Sequence, residues 1–255
     1  MDYGGLLTDS VEFTRAALTG DLRRGAALVV LYALMTLSIS ALPLVIPLDR
    51  VLRFAASAIL VAVSLAAALM LEGYVYRVYR HPLRPPDLED PVGLALSGVR
   101  LLVVSVVYLV PVLAVLLIFG GLGVAGILAS GQSQDMTALL SALATLGLAV
   151  LLALIVWVVV GLISSLALVR CAQRDELREA FNVSAILEHI GRIGWVNYIV
   201  ALVVLWVVLG IAYVAIGILS GLPVVGWIAG VVIGLAALIF FARYLSLVYD
   251  SAPAL

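Results

Sequence analysis

Glu72, Arg77, Arg80, Arg170, Asn197 and Arg243 are the polar side chains in this sequence best placed for chemistry, because each stands at the end of a long apolar run. A charge at the edge of hydrocarbon is costly to leave alone, so such groups either hold a ligand or hold one another. Arginine forks match phosphate oxygens, so a lipid headgroup or an anionic substrate is the ligand class this set suggests. The same spacing fits a structural reading, in which arginines extend their heads toward water and one carboxylate satisfies one of them. On that reading Glu72 pairs with Arg243 or Arg170, at the inner ends of two other apolar runs.

Other chemistries find little material. His81 and His189 are the two histidines, and neither sits in a metal-ligand spacing. His81 precedes Pro82 in a polar turn, and His189 falls on the polar side of a short apolar stripe. No metal and no cofactor is expected. Asp87, Glu89 and Asp90 cluster beside Arg84 as a solvated turn does. Asp90 before Pro91 reads as a helix cap, with proline at the first helical position. The sequence has no GxSxG elbow and no glycine-rich phosphate loop after a strand, so an enzyme is not expected. Cys171 is the one cysteine and can form no intrachain disulfide. A net charge of −1 offers no basic surface to nucleic acid.

The elements that position these residues are apolar. The chain is 65% hydrophobic and 11% charged with a mean hydropathy of +1.27, too apolar for a water-soluble domain of its length. Six segments, at 25–47, 52–71, 101–129, 136–169, 195–219 and 223–241, approach or exceed the roughly 20 residues that cross hydrocarbon. They are continuous rather than alternating, which predicts helices. The expected fold is therefore all-α: a polytopic membrane bundle of six spans in one domain over 1–255. The third and fourth segments exceed what a span needs, and Pro111 is expected to kink the third. Gly226, Gly230 and Gly234 form a small-residue face, which Gly217 and Gly221 match on the fifth span. Packing within the chain and self-association both fit it.

Arginine placement orients the spans. It favours the joints before the first span, between the second and third, and between the fourth and fifth, which puts both termini in the cytoplasm of a cell-membrane protein. Arg50 and Arg53, in the first outer turn, pull the other way. The N-terminus lacks a basic stretch followed at once by an apolar one, so no cleaved signal peptide is expected. In the joint over 72–91, tyrosines are expected at the interface with hydroxyls in water, followed by a stiff extended proline-rich stretch. Val92, Ala95, Leu96 and Val99, and again Val183, Ile186, Leu187 and Ile190, fall at helical spacing. They predict short interfacial helices, with a weaker third before the first span. Units at about 8–80, 88–171 and 178–250, each a short helix and a two-span hairpin, make a three-fold repeat one reading. The basic flanks common to any six-span chain are the other.

The stretches LEGYVYRVYR, LRPPDLEDP and REAFNVSAILEHIGRIGWVNY resemble the hallmarks of domain-of-unknown-function family 4013, over nearly the whole chain. That resemblance implies a multi-spanning membrane protein, commonly archaeal, and assigns no activity and no catalytic residue. The function expected is a non-enzymatic membrane protein that binds lipid headgroups or protein partners at its cytoplasmic face. Membrane lipids, other membrane proteins or a second copy are its expected partners. The alternative is a small-solute transporter or channel, against which stand span centres of Leu, Val, Ala, Ile and Gly.

Overall fold

A computed structural model describes residues 1–41, 45–47, 49–80, 82–133 and 135–253. Among them the chain is helical, without strands. In chain order the helices are α1 (Tyr3–Thr19), α2 (Leu22–Ser40), α3 (Arg50–Tyr79), α4 (Pro91–Val115), α5 (Gly121–Ser133), α6 (Met136–Arg174), α7 (Val183–Ile193), α8 (Trp195–Leu219) and α9 (Pro223–Asp250). Helix α4 runs through a wide π-turn at Leu116–Gly120 into α5, and a 3₁₀ turn at Leu177–Phe181 precedes α7. Five stretches among the described residues are long and apolar enough to cross a membrane: Arg50–Tyr79, Pro91–Ser130, Met136–Arg174, Trp195–Leu219 and Val224–Asp250. The first expected span corresponds to α2, and residues 42–44 of that segment lie outside the described residues.

Acidic and amide side chains start most of these helices. Asp2 accepts from Gly5 N, Asp49 from Val51 N and Leu52 N, Asp135 from Thr137 N and Ala138 N, and Asn182 from Ala185 N. Each satisfies backbone donors that have no partner inside the helix. Asp90 caps α4 as expected, accepting from Gly93 N at 3.0 Å, with Pro91 leading the helix. Pro111 does not end α4; the departure from α geometry comes a turn later, at the π-turn.

The short helix expected over 92–99 is not separate. No glycine with positive φ and no proline interrupts the chain there, so those residues are the first turns of α4. Their inward side is Leu94 and Gly98, while Val92, Leu96 and Val99 are exposed. The second short helix does form, because Gly194, at φ +92, turns the chain between α7 and α8. Its buried side is Ile186, His189, Ile190 and Ile193. Val183 and Leu187, expected to face inward, are 41% and 37% exposed.

Burial is uneven along the spans. The end of the bundle where α3, α6 and α9 finish, here called the basal end, holds the large buried side chains: Tyr74, Tyr76, Tyr79, Leu166, Tyr198 and Tyr244. Toward the opposite, distal end most apolar side chains of α3, α5, α6 and α8 are exposed, as lipid-facing surfaces are. The tyrosines of α3, expected at the interface with wet hydroxyls, are instead core residues at 1–2% exposure. Packing wins because two glycines bring α3 and α4 together. A methyl on Gly73 would collide with the Leu94 carbonyl oxygen, and one on Gly98 with that of Leu69. The expected glycine face on α9 plays a smaller part. Gly230 meets only the Ile216 side chain, at 3.8 Å, while Gly234 seats the Tyr32 ring of α2 and Gly226 abuts Leu219 at the turn into α9. Gly217 has nothing within 4 Å and Gly221 only its own turn, so neither supplies the matching surface.

Candidate functional site

The proline-rich joint between α3 and α4 is extended, so its carbonyls have no helical donors and need others. Arginines from three helices supply them. Arg243 of α9 donates to the Pro82 carbonyl at 3.1 Å. Arg24 of α2 donates to that of Pro85 at 3.1 Å. Arg77 of α3 donates to those of Asp87 and Glu89 at 2.8 and 3.1 Å. Arg24 also donates to the Ala16 and Ala17 carbonyls at the end of α1, at 2.9 and 3.3 Å, and lies 3.6 Å from the Asp87 carboxylate. A guanidinium offers five donors in a fixed fork, so one arginine can serve several carbonyls where a lysine would serve fewer.

The remaining buried arginines are paired, though not as expected. Arg170 donates through Nε to Glu179 at 2.7 Å, its side chain 9% exposed. Glu179 sits on the 3₁₀ turn, so this pair folds the α6–α7 joint back onto α6. Arg243 donates through Nε to Asp9 of α1 at 2.7 Å and lies 4.6 Å over the Phe13 ring, its side chain 6% exposed. Glu72 pairs with neither. It is partly exposed on α3 and makes no hydrogen bond or ion pair among the described residues. The physical reason is competition: the joint and α1 bring Pro82 and Asp9 to Arg243, and Glu179 lies within one turn's reach of Arg170. Arg80 is exposed near Asp175, and Asn197 accepts from the Tyr3 hydroxyl at 3.3 Å while donating to Ile193 O at 3.3 Å. The six residues singled out in the sequence thus share the basal end without forming one cluster.

Sequence reasoning missed three groups. Arg24 looked like an ordinary flanking charge, yet its side chain is 12% exposed. Tyr76, Arg100 and Asp175 form a small polar knot: the Tyr76 hydroxyl donates to Asp175 at 2.5 Å, and Arg100 donates to Asp175 at 2.6 Å and to Tyr76 at 3.3 Å. The Tyr76 hydrogen bond, helped by Arg100 and Arg80, holds the Asp175 carboxyl below the usual carboxylate range.

His189 is the third, and its expected polar placement is wrong. It is 7% exposed, stacked on Tyr249 at 4.0 Å, with Nε2 2.8 Å from the Tyr249 carbonyl and Nδ1 3.2 Å from Arg192. These partners require Nε2–H to donate and Nδ1 to accept, so the ring is neutral. Burial lowers its pKa, the Arg192 and Arg170 charges add to that, and the Tyr249 hydrogen bond and Asp250 oppose it. The unfolded chain therefore takes up a proton first. Stability is expected to fall as pH drops below about 6.5 and to level off below the depressed folded value. His189→Gln is expected to flatten that limb of a stability–pH curve in detergent; an unchanged limb would assign it to another group. His81 lies outside the described residues, and no cluster of three metal-ligating side chains occurs among the described ones.

The chain matches no curated protein and no solved structure. One family model does match, described as a protein of unknown function, DUF4013, and it covers residues 56–221, from near the start of the second expected span through the turn after α8. That range includes the arginine-held joint, the Glu179 fold-back and α7. The chain, a multi-pass helical membrane protein, belongs to the DUF4013 family.

Proposed function

We propose that this is a non-enzymatic integral membrane protein of six spans, with both termini and the basal end in the cytoplasm, that binds anionic lipid headgroups on that face. The observation that carries the reading is the division of labour among the arginines. Arg24, Arg77, Arg170 and Arg243 are occupied inside the basal end, whereas Arg15, Arg23, Arg80, Arg84, Arg174 and Arg178 are exposed around it. Exposed arginines beside lipid-facing helices meet phosphate first, each worth about 1 kcal/mol at an anionic surface. The three hairpins α2–α3, α4–α6 and α8–α9 suit a three-unit plan, and α2 is held as a span would be: Ser64 of α3 bonds Leu34 O and Ser38 N, and Trp227 of α9 donates to Ser40.

Transport of a polar solute is the weaker reading. A cavity of about 640 Å³ between α6 and α8 is lined at mid-depth by Trp157, Leu162, Val203 and Trp206, walls that suit hydrocarbon. Two measurements test the proposal. In a Cys171→Ala background, single cysteines at Ser220 and Ser184 are expected to label from outside and inside respectively; labelling from one side overturns the topology. In nanodiscs, melting temperature is expected to rise when phosphatidylglycerol replaces phosphatidylcholine, and no change overturns headgroup binding.

A further inference from the structure

A groove of about 420 Å³ lies beneath α1, walled by α8 and α9. Its polar lining comes from α1 alone: Arg15, with Thr14 and Thr19 beside it. The two threonine hydroxyls donate to carbonyls of their own helix, those of Ser10 and Arg15. That leaves the Arg15 guanidinium as the charged donor at the rim. It is exposed and makes no hydrogen bond or ion pair among the described residues, unlike Arg24, Arg170 and Arg243. Glu12, one turn back, is not part of the lining.

The opposite walls are apolar, formed by Leu209 and Ala212 on α8 and Ile233 and Phe240 on α9. At 1.5 Å per residue Ala212 lies about 25 Å along α8 from Trp195, deep in a membrane-spanning segment. Helix α1 itself is fixed at the basal end through Tyr3 to Asn197 and Asp9 to Arg243. The groove therefore has one cationic end near the interface and an apolar length within the bilayer. Its occupant must match that polarity, with one anionic end and one hydrocarbon end, and must be able to enter sideways from the bilayer.

We propose that this groove is a specific site for one anionic phospholipid, its phosphate on Arg15 and an acyl chain between α8 and α9. The proposal rests on the headgroup-binding reading above and gives it a location. The test is native mass spectrometry of delipidated protein titrated with phosphatidylglycerol, with phosphatidylcholine of the same chains, and with glycerol phosphate as a headgroup without chains. Phosphatidylglycerol is expected to bind about tenfold tighter than phosphatidylcholine at the first site, because both carry the phosphate but the choline cation of the latter offsets its attraction to Arg15. Arg15→Gln is expected to erase that preference, Ala212→Phe to weaken both lipids, and Arg50→Gln, exposed at the distal start of α3, to change neither. A preference that survives in Arg15→Gln overturns the groove and leaves headgroup binding standing. No preference in the unaltered protein overturns both. Glycerol phosphate binding as tightly as the lipid, or Ala212→Phe without effect, overturns the acyl chain's place.

Discussion

Gly98→Ala is expected to destabilise the bundle by about 3 kcal/mol or more, the upper end of what overpacking does. The added methyl would meet the Leu69 carbonyl oxygen and lie 3.0 Å from Gly73 N. Both are backbone atoms of α3, so no side chain can swing aside, and the two helices must part. They have nowhere to go, because the same stretch of α3 carries Tyr74, Tyr76 and Tyr79 at 1–2% exposure. Gly73→Ala, aimed at the Leu94 carbonyl from the other side, should behave alike. Gly230→Ala is the control, since a methyl there meets only the Ile216 side chain at 3.8 Å. Thermal melting in detergent reads all three. A Gly98→Ala protein as stable as the Gly230→Ala one would mean that α3 and α4 are not held at this distance.

Asp9→Ala should release α1 from the bundle at a cost of about 3 kcal/mol. The Arg243 side chain is 6% exposed, so removing its carboxylate leaves a nearly buried cation with only the Pro82 carbonyl and the Phe13 face. Losing one partner of a buried pair costs about 3–5 kcal/mol, and Asp9, 46% exposed, places this pair at the low end. Arg243→Met should cost less than Asp9→Ala, and the double variant should match Arg243→Met alone, since no buried charge is then left. Asp175→Asn sets the scale: the Arg100–Asp175 pair is 46% and 50% exposed, and such pairs contribute about 0.2–1 kcal/mol. Additive losses at Asp9 and Arg243 would mean that the two do not depend on each other.

Five of the six expected spans were legible in the sequence because hydrocarbon length is a property of a single segment. Helix starts were legible at Asp90, where the cap and the proline are adjacent in the chain. Pairing was not, for reasons of distance and competition. Asp9 is at the opposite end of the chain from Arg243, and Glu72 looked the better partner because it stood at the right depth. Depth alone cannot say which face of α3 Glu72 occupies. Arg170 and Glu179 are close in sequence, but the 3₁₀ turn that brings them together has no strong local signature. The glycine face on α9 has the regular spacing, whereas the close approach uses one glycine from each of two helices, Gly73 and Gly98. A stripe that begins at Val183 leaves His189 on the polar side, whereas the buried stripe begins at Ile186 and includes the ring.

The concentration of burial at the basal end has a calorimetric meaning. Heat capacity rises on unfolding because apolar surface moves into water, roughly 3–4 kcal/mol/K for a soluble chain of this length at 12–15 cal/mol/K per residue. Side chains along the distal halves of α3, α5, α6 and α8 face hydrocarbon when folded and stay in hydrocarbon or detergent when the helices separate. They add almost nothing to that term. Only the basal residues, gathered around the tyrosines and the arginine-held joint, exchange a dry interior for water. The transition should therefore show a small heat-capacity step, and a stability curve flatter with temperature than chain length alone would give.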